Sequence, residues 1–188
     1  MMQLKNRIQL VLLLSAIYLV PSMASAAKFD FYFGAFDLSA ETNENDGNVS
    51  GLGSYKMGYY LPALINFEFG IGYSLILSNT FGGDAAFGFE AEAAWFPFTQ
   101  TTPIKVQSDK SFIRISPLWR PFVYAGYIVR QFQSVETQYN GFSLGLGAER
   151  ALTYDFDAKF LVRYITLAGP NESEATEIDV LAGITFDF

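Results

Sequence analysis

Apolar and polar positions alternate along most of this chain, in short stretches ended by polar or Gly- and Pro-containing breaks. The cleanest stretch sets Ile65, Phe67, Phe69, Ile71, Tyr73, Leu75 and Leu77 against Asn66, Glu68, Gly70, Gly72, Ser74, Ile76 and Ser78. Period two predicts a β-strand with one greasy and one wet face. The same pattern predicts strands over 29–38, 51–61, 85–95, 122–133, 141–149, 156–165 and 177–188. That makes eight in all, antiparallel because most connections are short. The first is the least clean, with a mixed face opposite Phe29, Phe31, Phe33 and Ala35.

Tight turns are expected at Pro62-Ala63 and at 152–155, alternating with polar loops at 41–50, 78–84, 134–140 and 169–176. Short turns on one rim and longer loops on the other suit a transmembrane β-barrel. Seven apolar positions in one strand would cross the roughly 25 Å apolar band of such a wall. Trp95-Phe96-Pro97-Phe98 ends its strand as an interfacial aromatic girdle would. The basic, Pro-punctuated stretch 99–121 interrupts the rhythm. It is either an elaboration with a short hairpin around Lys110 or the site of two further strands, which would raise the count to ten.

The final strand carries Ile178, Val180, Ala182, Ile184, Phe186 and Phe188 on one parity. An aromatic at the last position is unusual for a frayed soluble terminus. It is expected where the last strand closes on the first and faces lipid. At the other end, Lys5 and Arg7 precede an apolar run from Ile8 to Val20 and the small-residue site Ala24-Ser25-Ala26. Residues 1–26 therefore read as a secretory signal peptide and 27–188 as one barrel domain. Removing 1–26 takes away two basic residues and no acid, so the remaining 162 residues carry a net charge of −9 against −7 for the whole chain. Such acidity argues against nucleic acid as a partner.

Cysteine and histidine are both absent. Disulfides, thiolate chemistry, His-dependent triads and the usual His-based zinc sites are thereby excluded, and no cofactor is expected. If the greasy parity faces lipid, the other parity fills the lumen. It brings Lys56, Asn66, Glu68, Ser74, Glu90, Glu92, Tyr124, Arg130, Glu149, Lys159, Arg163 and Asp179 inside. Buried charges must pair or stay hydrated. The expected arrangement is an ion-pair network plugging the barrel, with the charged members as its core. A narrow wet path is the alternative, favoured by inward glycines at 70, 72, 126, 141, 145, 147 and 183. Glu90 and Glu92 have the spacing of two carboxylates on one face, but nearby Lys and Arg favour a structural role. Asn43 to Gly47 fails as an EF-hand, because Gly53 stands where a bidentate Glu is needed.

The signal peptide, the eight alternating segments, Arg120-Pro-Phe-Val-Tyr-Ala-Gly126 and the last strand together resemble the small outer-membrane β-barrels of Gram-negative bacteria, the OmpA/OmpX/OmpW-like group. The resemblance implies an outer-membrane location, lipid around the wall, a monomer, and recognition by the barrel-assembly machinery. Gly183, Phe186 and Phe188 match the group's C-terminal assembly signal, whereas Leu181 replaces its polar residue. Barrel enzymes of similar size, the lipid A deacylases and palmitoyl transferases, rely on histidine, so the resemblance does not extend to them. The expected function is that of a non-enzymatic structural or surface-exposed barrel. The alternatives are a channel for small solutes or hydrophobic molecules, and a soluble periplasmic lipocalin-like binder.

Overall fold

A computed structural model describes residues 27–41, 46–78, 84–99, 104–115, 117–133, 137–170 and 173–188. The expected signal peptide lies outside the described residues, as do the middles of the expected loops. Ten strands follow one another: β1 (Lys28–Glu41), β2 (Asp46–Leu64), β3 (Phe67–Ser78), β4 (Asp84–Trp95), β5 (Ile104–Ser108), β6 (Ser111–Ile115), β7 (Trp119–Phe132), β8 (Thr137–Ala151), β9 (Phe156–Ala168) and β10 (Glu174–Asp187). Eight of them close into a barrel in the order β1-β10-β9-β8-β7-β4-β3-β2, and β5 with β6 forms a separate hairpin. Every pairing is antiparallel. The stretch 99–121 is thus an elaboration, and the barrel has eight strands, not ten.

Closure comes from β10 pairing with β1 along its length, from Lys28 opposite Asp187 to Glu41 opposite Glu174. The backbone of Phe188 donates to the carbonyl of Ala27 at 2.9 Å, extending the seam past the last ladder pair. Full closure leaves no unpaired edge in the wall, as a hydrocarbon environment requires. Phe31, Phe33, Phe69, Ile71, Phe89, Phe142, Leu144 and Leu146 all stand exposed on its outside. The lipocalin-like alternative needs this parity inside, so the structure corrects it.

Two further expectations change. The β2–β3 reversal falls at Ile65-Asn66, after a register irregularity between Pro62 and Leu64, rather than at Pro62-Ala63. Pro cannot donate to a ladder, so it sits naturally at such an irregularity. Asn66 is consequently a turn residue whose carbonyl accepts from the Phe96 amide at 2.8 Å, not a lumen residue. In β2 the register shifts at Gly53, which pairs with neither Gly34 nor Ala35. This bulge switches the inward parity from Ser54, Lys56 and Tyr60 below it to Val49 above it. Gly53 has φ +154°, and a Cβ there would approach the Leu77 carbonyl oxygen to 2.5 Å. Gly53→Val should therefore destabilise the barrel by about 1–3 kcal/mol, checked as a lower urea midpoint of unfolding. An unchanged midpoint would mean the bulge tolerates a side chain.

Candidate functional site

The barrel interior is where the chemistry-bearing residues converge. Among the described residues, six buried cations (Lys28, Lys56, Arg120, Arg130, Lys159, Arg163) face eight buried carboxylates (Asp30, Glu68, Glu90, Glu92, Glu149, Asp157, Glu177, Asp179). Their strands present them inward because successive side chains alternate across the wall. Eight strands make an interior just wide enough for side chains to fill.

Three tiers follow the axis away from Ala27 and Phe188, the ends of the described chain, which mark the termini side. At the mouth near the termini, Lys28 pairs with Glu68 and lies 3.5 Å from Glu149, while Arg120 pairs with Glu149 and reaches Asp157 at 2.8 Å. Lys159 pairs with Asp30 at 2.7 Å, and the other Asp30 oxygen accepts from Thr185 at 2.8 Å. In the middle tier the Lys56 ammonium binds both Glu92 oxygens at 2.8 and 2.7 Å, and the Tyr60 hydroxyl donates to the same carboxylate. That ammonium also lies over the rings of Tyr32, Tyr60 and Tyr124 at 5.5–5.6 Å from their centroids. Arg163 then clamps Glu90 at 2.6 Å and Asp179 at 2.8 Å, with Tyr124 donating to Glu90 at 2.9 Å. Furthest in, Arg130 Nη2 donates to both oxygens of Glu177 at 2.7 and 2.8 Å, and its Nη1 reaches the Ser74 hydroxyl at 3.3 Å.

Around the Arg130–Glu177 pair and beyond it the interior becomes apolar, with Ile165 opposite Glu177 on the ladder and Ile128 two residues before Arg130 on β7. Phe36, Leu38, Val49, Ile76, Ala86, Ile128, Tyr139, Ile165, Leu167 and Ala175 form one buried cluster there. This explains why β1 alternates poorly: its inward parity starts as Lys28, Asp30 and Tyr32 and ends in the plug as Phe36 and Leu38.

All nine charged residues assigned to the lumen from their parity are buried there: Lys56, Glu68, Glu90, Glu92, Arg130, Glu149, Lys159, Arg163 and Asp179. Glu90 and Glu92 are held by different cations, Arg163 and Lys56, so they do not act as a facing pair. Sequence reasoning missed Lys28, Asp30, Arg120, Asp157 and Glu177 as network members. Asp157 and Glu177 stood on the polar parity of their strands and could have been included. Lys28 and Asp30 were hidden by the mixed face of β1, and Arg120 by its place in the irregular stretch. Of the expected assembly residues, Gly183 lies opposite Tyr32, Phe186 packs on Phe156 with ring centroids 5.0 Å apart, and Phe188 is exposed.

The inward glycines are not free space. A Cβ on Gly72 would meet the Glu92 Oε1 at 1.8 Å, one on Gly70 the Tyr60 ring at 2.5 Å, and one on Gly147 the Phe122 ring at 2.2 Å. These three glycines each make room for a large side chain, so at their positions the expectation that the inward glycines lower the filled volume is corrected.

At the mouth, the β5–β6 hairpin turns its Lys105–Arg114 pair toward the barrel. Arg114 reaches Asp157 at 2.7 Å, Asp187 at 3.3 Å and the Thr153 carbonyl at 3.0 Å. Lys105 lies 3.5 Å from Asp155 and 3.7 Å from Asp187, and Phe112 packs edge-on against Tyr154.

No family model matches the sequence, and no curated protein matches it either. Solved structures do match in three dimensions. Neisserial surface protein A is 12% identical with a TM-score of 0.55, over 85% of this chain and 97% of that one. The N-terminal β-barrel domain of Pseudomonas aeruginosa OprF is 14% identical with a TM-score of 0.50, over 87% and 98%. The fold is that of the small outer-membrane β-barrels. The outer membrane protease OmpT from Escherichia coli aligns at a TM-score of 0.50 and 8% identity, over 87% of this chain and 97% of that one. At these identities the outer-membrane barrel fold is what is shared, and activity does not follow from it.

Proposed function

We propose that this chain is an outer-membrane barrel without enzymatic activity, a surface-exposed structural protein whose lumen is closed to solutes. The observation that carries this reading is the sequence of barriers along the axis. A solute entering from the termini side meets two tiers of paired charges and then a plug of Phe36, Leu38, Val49, Ile76, Ile128, Ile165 and Leu167 built around the Arg130–Glu177 pair. Opening a path would require separating buried ion pairs, each costly to break, and moving a packed apolar cluster as well. Fold relatives described as outer-membrane and surface proteins support the location, and the exposed aromatic and aliphatic outer wall supports lipid as its surroundings. Gly183, Phe186 and Phe188 fit recognition by the assembly machinery during insertion.

Planar-bilayer recording of protein that shows a heat-modifiable gel shift tests the closed lumen. The expected result is a silent bilayer. A reproducible single-channel step from the folded form would overturn this reading in favour of a narrow channel.

A further inference from the structure

The mouth near the termini is shut by a different device from the far end. There the lumen ends in acids, Asp157 and Asp187, with Asp155 beside them on the β8–β9 turn. Across it lies a hairpin that belongs to no part of the barrel sheet. Its two cross-strand partners Lys105 and Arg114 supply the cations, and Arg114 is nearly buried while doing so. Lys105 also stands 5.0 Å over the Tyr154 ring. On the opposite parity, Ile104, Val106, Ile113 and Ile115 are all exposed. Among the described residues, the hairpin meets the barrel through its Lys105–Arg114 face and the Phe112–Tyr154 pair. The contrast with the plug is physical. Apolar packing holds the far end, whereas ion pairs hold this one, the outer Lys105–Asp155 pair being open to salt screening and the buried Arg114 pairs much less so.

We propose that β5–β6 is a latched lid: Lys105 and Arg114 close it on Asp155, Asp157 and Asp187, and its release opens the ionic lumen to the termini side alone. The far plug stays in place, so an open lid exposes a blind charged chamber rather than a pore. Beneath the latch lie Asp157 Oδ1, Glu149 Oε2 and Glu68 Oε2, buried oxygens without a hydrogen-bond donor among the described residues, although the Lys159 ammonium stands 3.5 Å from Glu149 Oε2. Buried oxygens of this kind are ordinarily satisfied by water, and lid opening gives water its route in.

The chain has no cysteine, so one introduced thiol reports access without background. Thr185 is buried directly under the latch, bonded to Asp30 and opposite Asp157 in the ladder. In folded Thr185→Cys protein, labelling by N-ethylmaleimide, a neutral reagent, should be slow. Adding Lys105→Gln and Arg114→Gln should accelerate it by about tenfold or more, the equivalent of losing partly buried charge pairs. Raising salt on the single variant should move the rate the same way, and Phe112→Ala should do so without any change of charge. Should the double Gln variant fail to fold, the salt series and Phe112→Ala decide the matter. Labelling rates that stay within about twofold across salt and variants would overturn the lid. Bilayer conductance is a separate readout: current on lid release would refute the plug while leaving the lid intact.

Discussion

Arg163→Met is expected to lower the unfolding free energy of the barrel by about 3–5 kcal/mol, the usual cost of stripping one partner from a buried ion group. The guanidinium holds Glu90 at 2.6 Å and Asp179 at 2.8 Å, and all three side chains are buried. Without it, two carboxylates face one another with no cation between them. Methionine roughly keeps the volume, so the loss reports charge rather than a cavity. Replacing all three together, as Arg163→Met with Glu90→Gln and Asp179→Asn, should recover a large part of the stability, because an uncharged set has no desolvated charge to neutralise. Urea titration in lipid vesicles, followed by the fluorescence of Trp95 and Trp119, measures both. A cost for Arg163→Met below about 1 kcal/mol would mean that the middle tier is wet. The closed-lumen reading would then lose its basis.

Ile71→Arg is expected to cost about 2–4 kcal/mol in a bilayer, the range for a basic side chain at the midplane of a lipid-facing barrel wall. Ile71 is 69% exposed and sits centrally in β3, with Tyr59 and Ala91 opposite it on the neighbouring strands. In water such an exposed position would accept arginine almost freely, so the magnitude itself reports the surrounding medium. The measurement is vesicle refolding against urea, with Ser50→Arg as a control near the strand end, where the cost should fall to about 0–1 kcal/mol. Equal costs at the two sites would remove the evidence that this wall lies in hydrocarbon.

The barrel strands and their two faces were legible in the sequence because both depend on a local rule. Cβ atoms alternate across a strand, so a one-sided environment writes itself as period two, as in Phe67 to Leu77. The rule failed where the environment changes along a strand. β1 passes from ions to plug between Tyr32 and Phe36, and β2 reverses its parity at the Gly53 bulge.

Which charges would be inward could be read from parity, since Lys56, Glu90 and Glu92 share it with their strands' small residues and Arg163 shares it with Asp157 and Lys159. Which charge meets which could not. Lys28 finds Glu68, Lys159 finds Asp30 and Arg130 finds Glu177 only because closure and strand stagger bring those levels together across the lumen. The inward glycines show the same division: their positions are in the sequence, but the Glu92, Tyr60 and Phe122 side chains that use their space arrive from other strands. The hairpin around Lys110 was visible as a local turn. Its place across the mouth was decided by tertiary structure, because Arg114 and its acids Asp157 and Asp187 are set by separate segments of chain. Sequence determined the strands and the sign of each face, which are nearest-neighbour properties. Closure alone determined the ion pairs, the plug and the latch, because each joins residues that only the completed ring brings within reach.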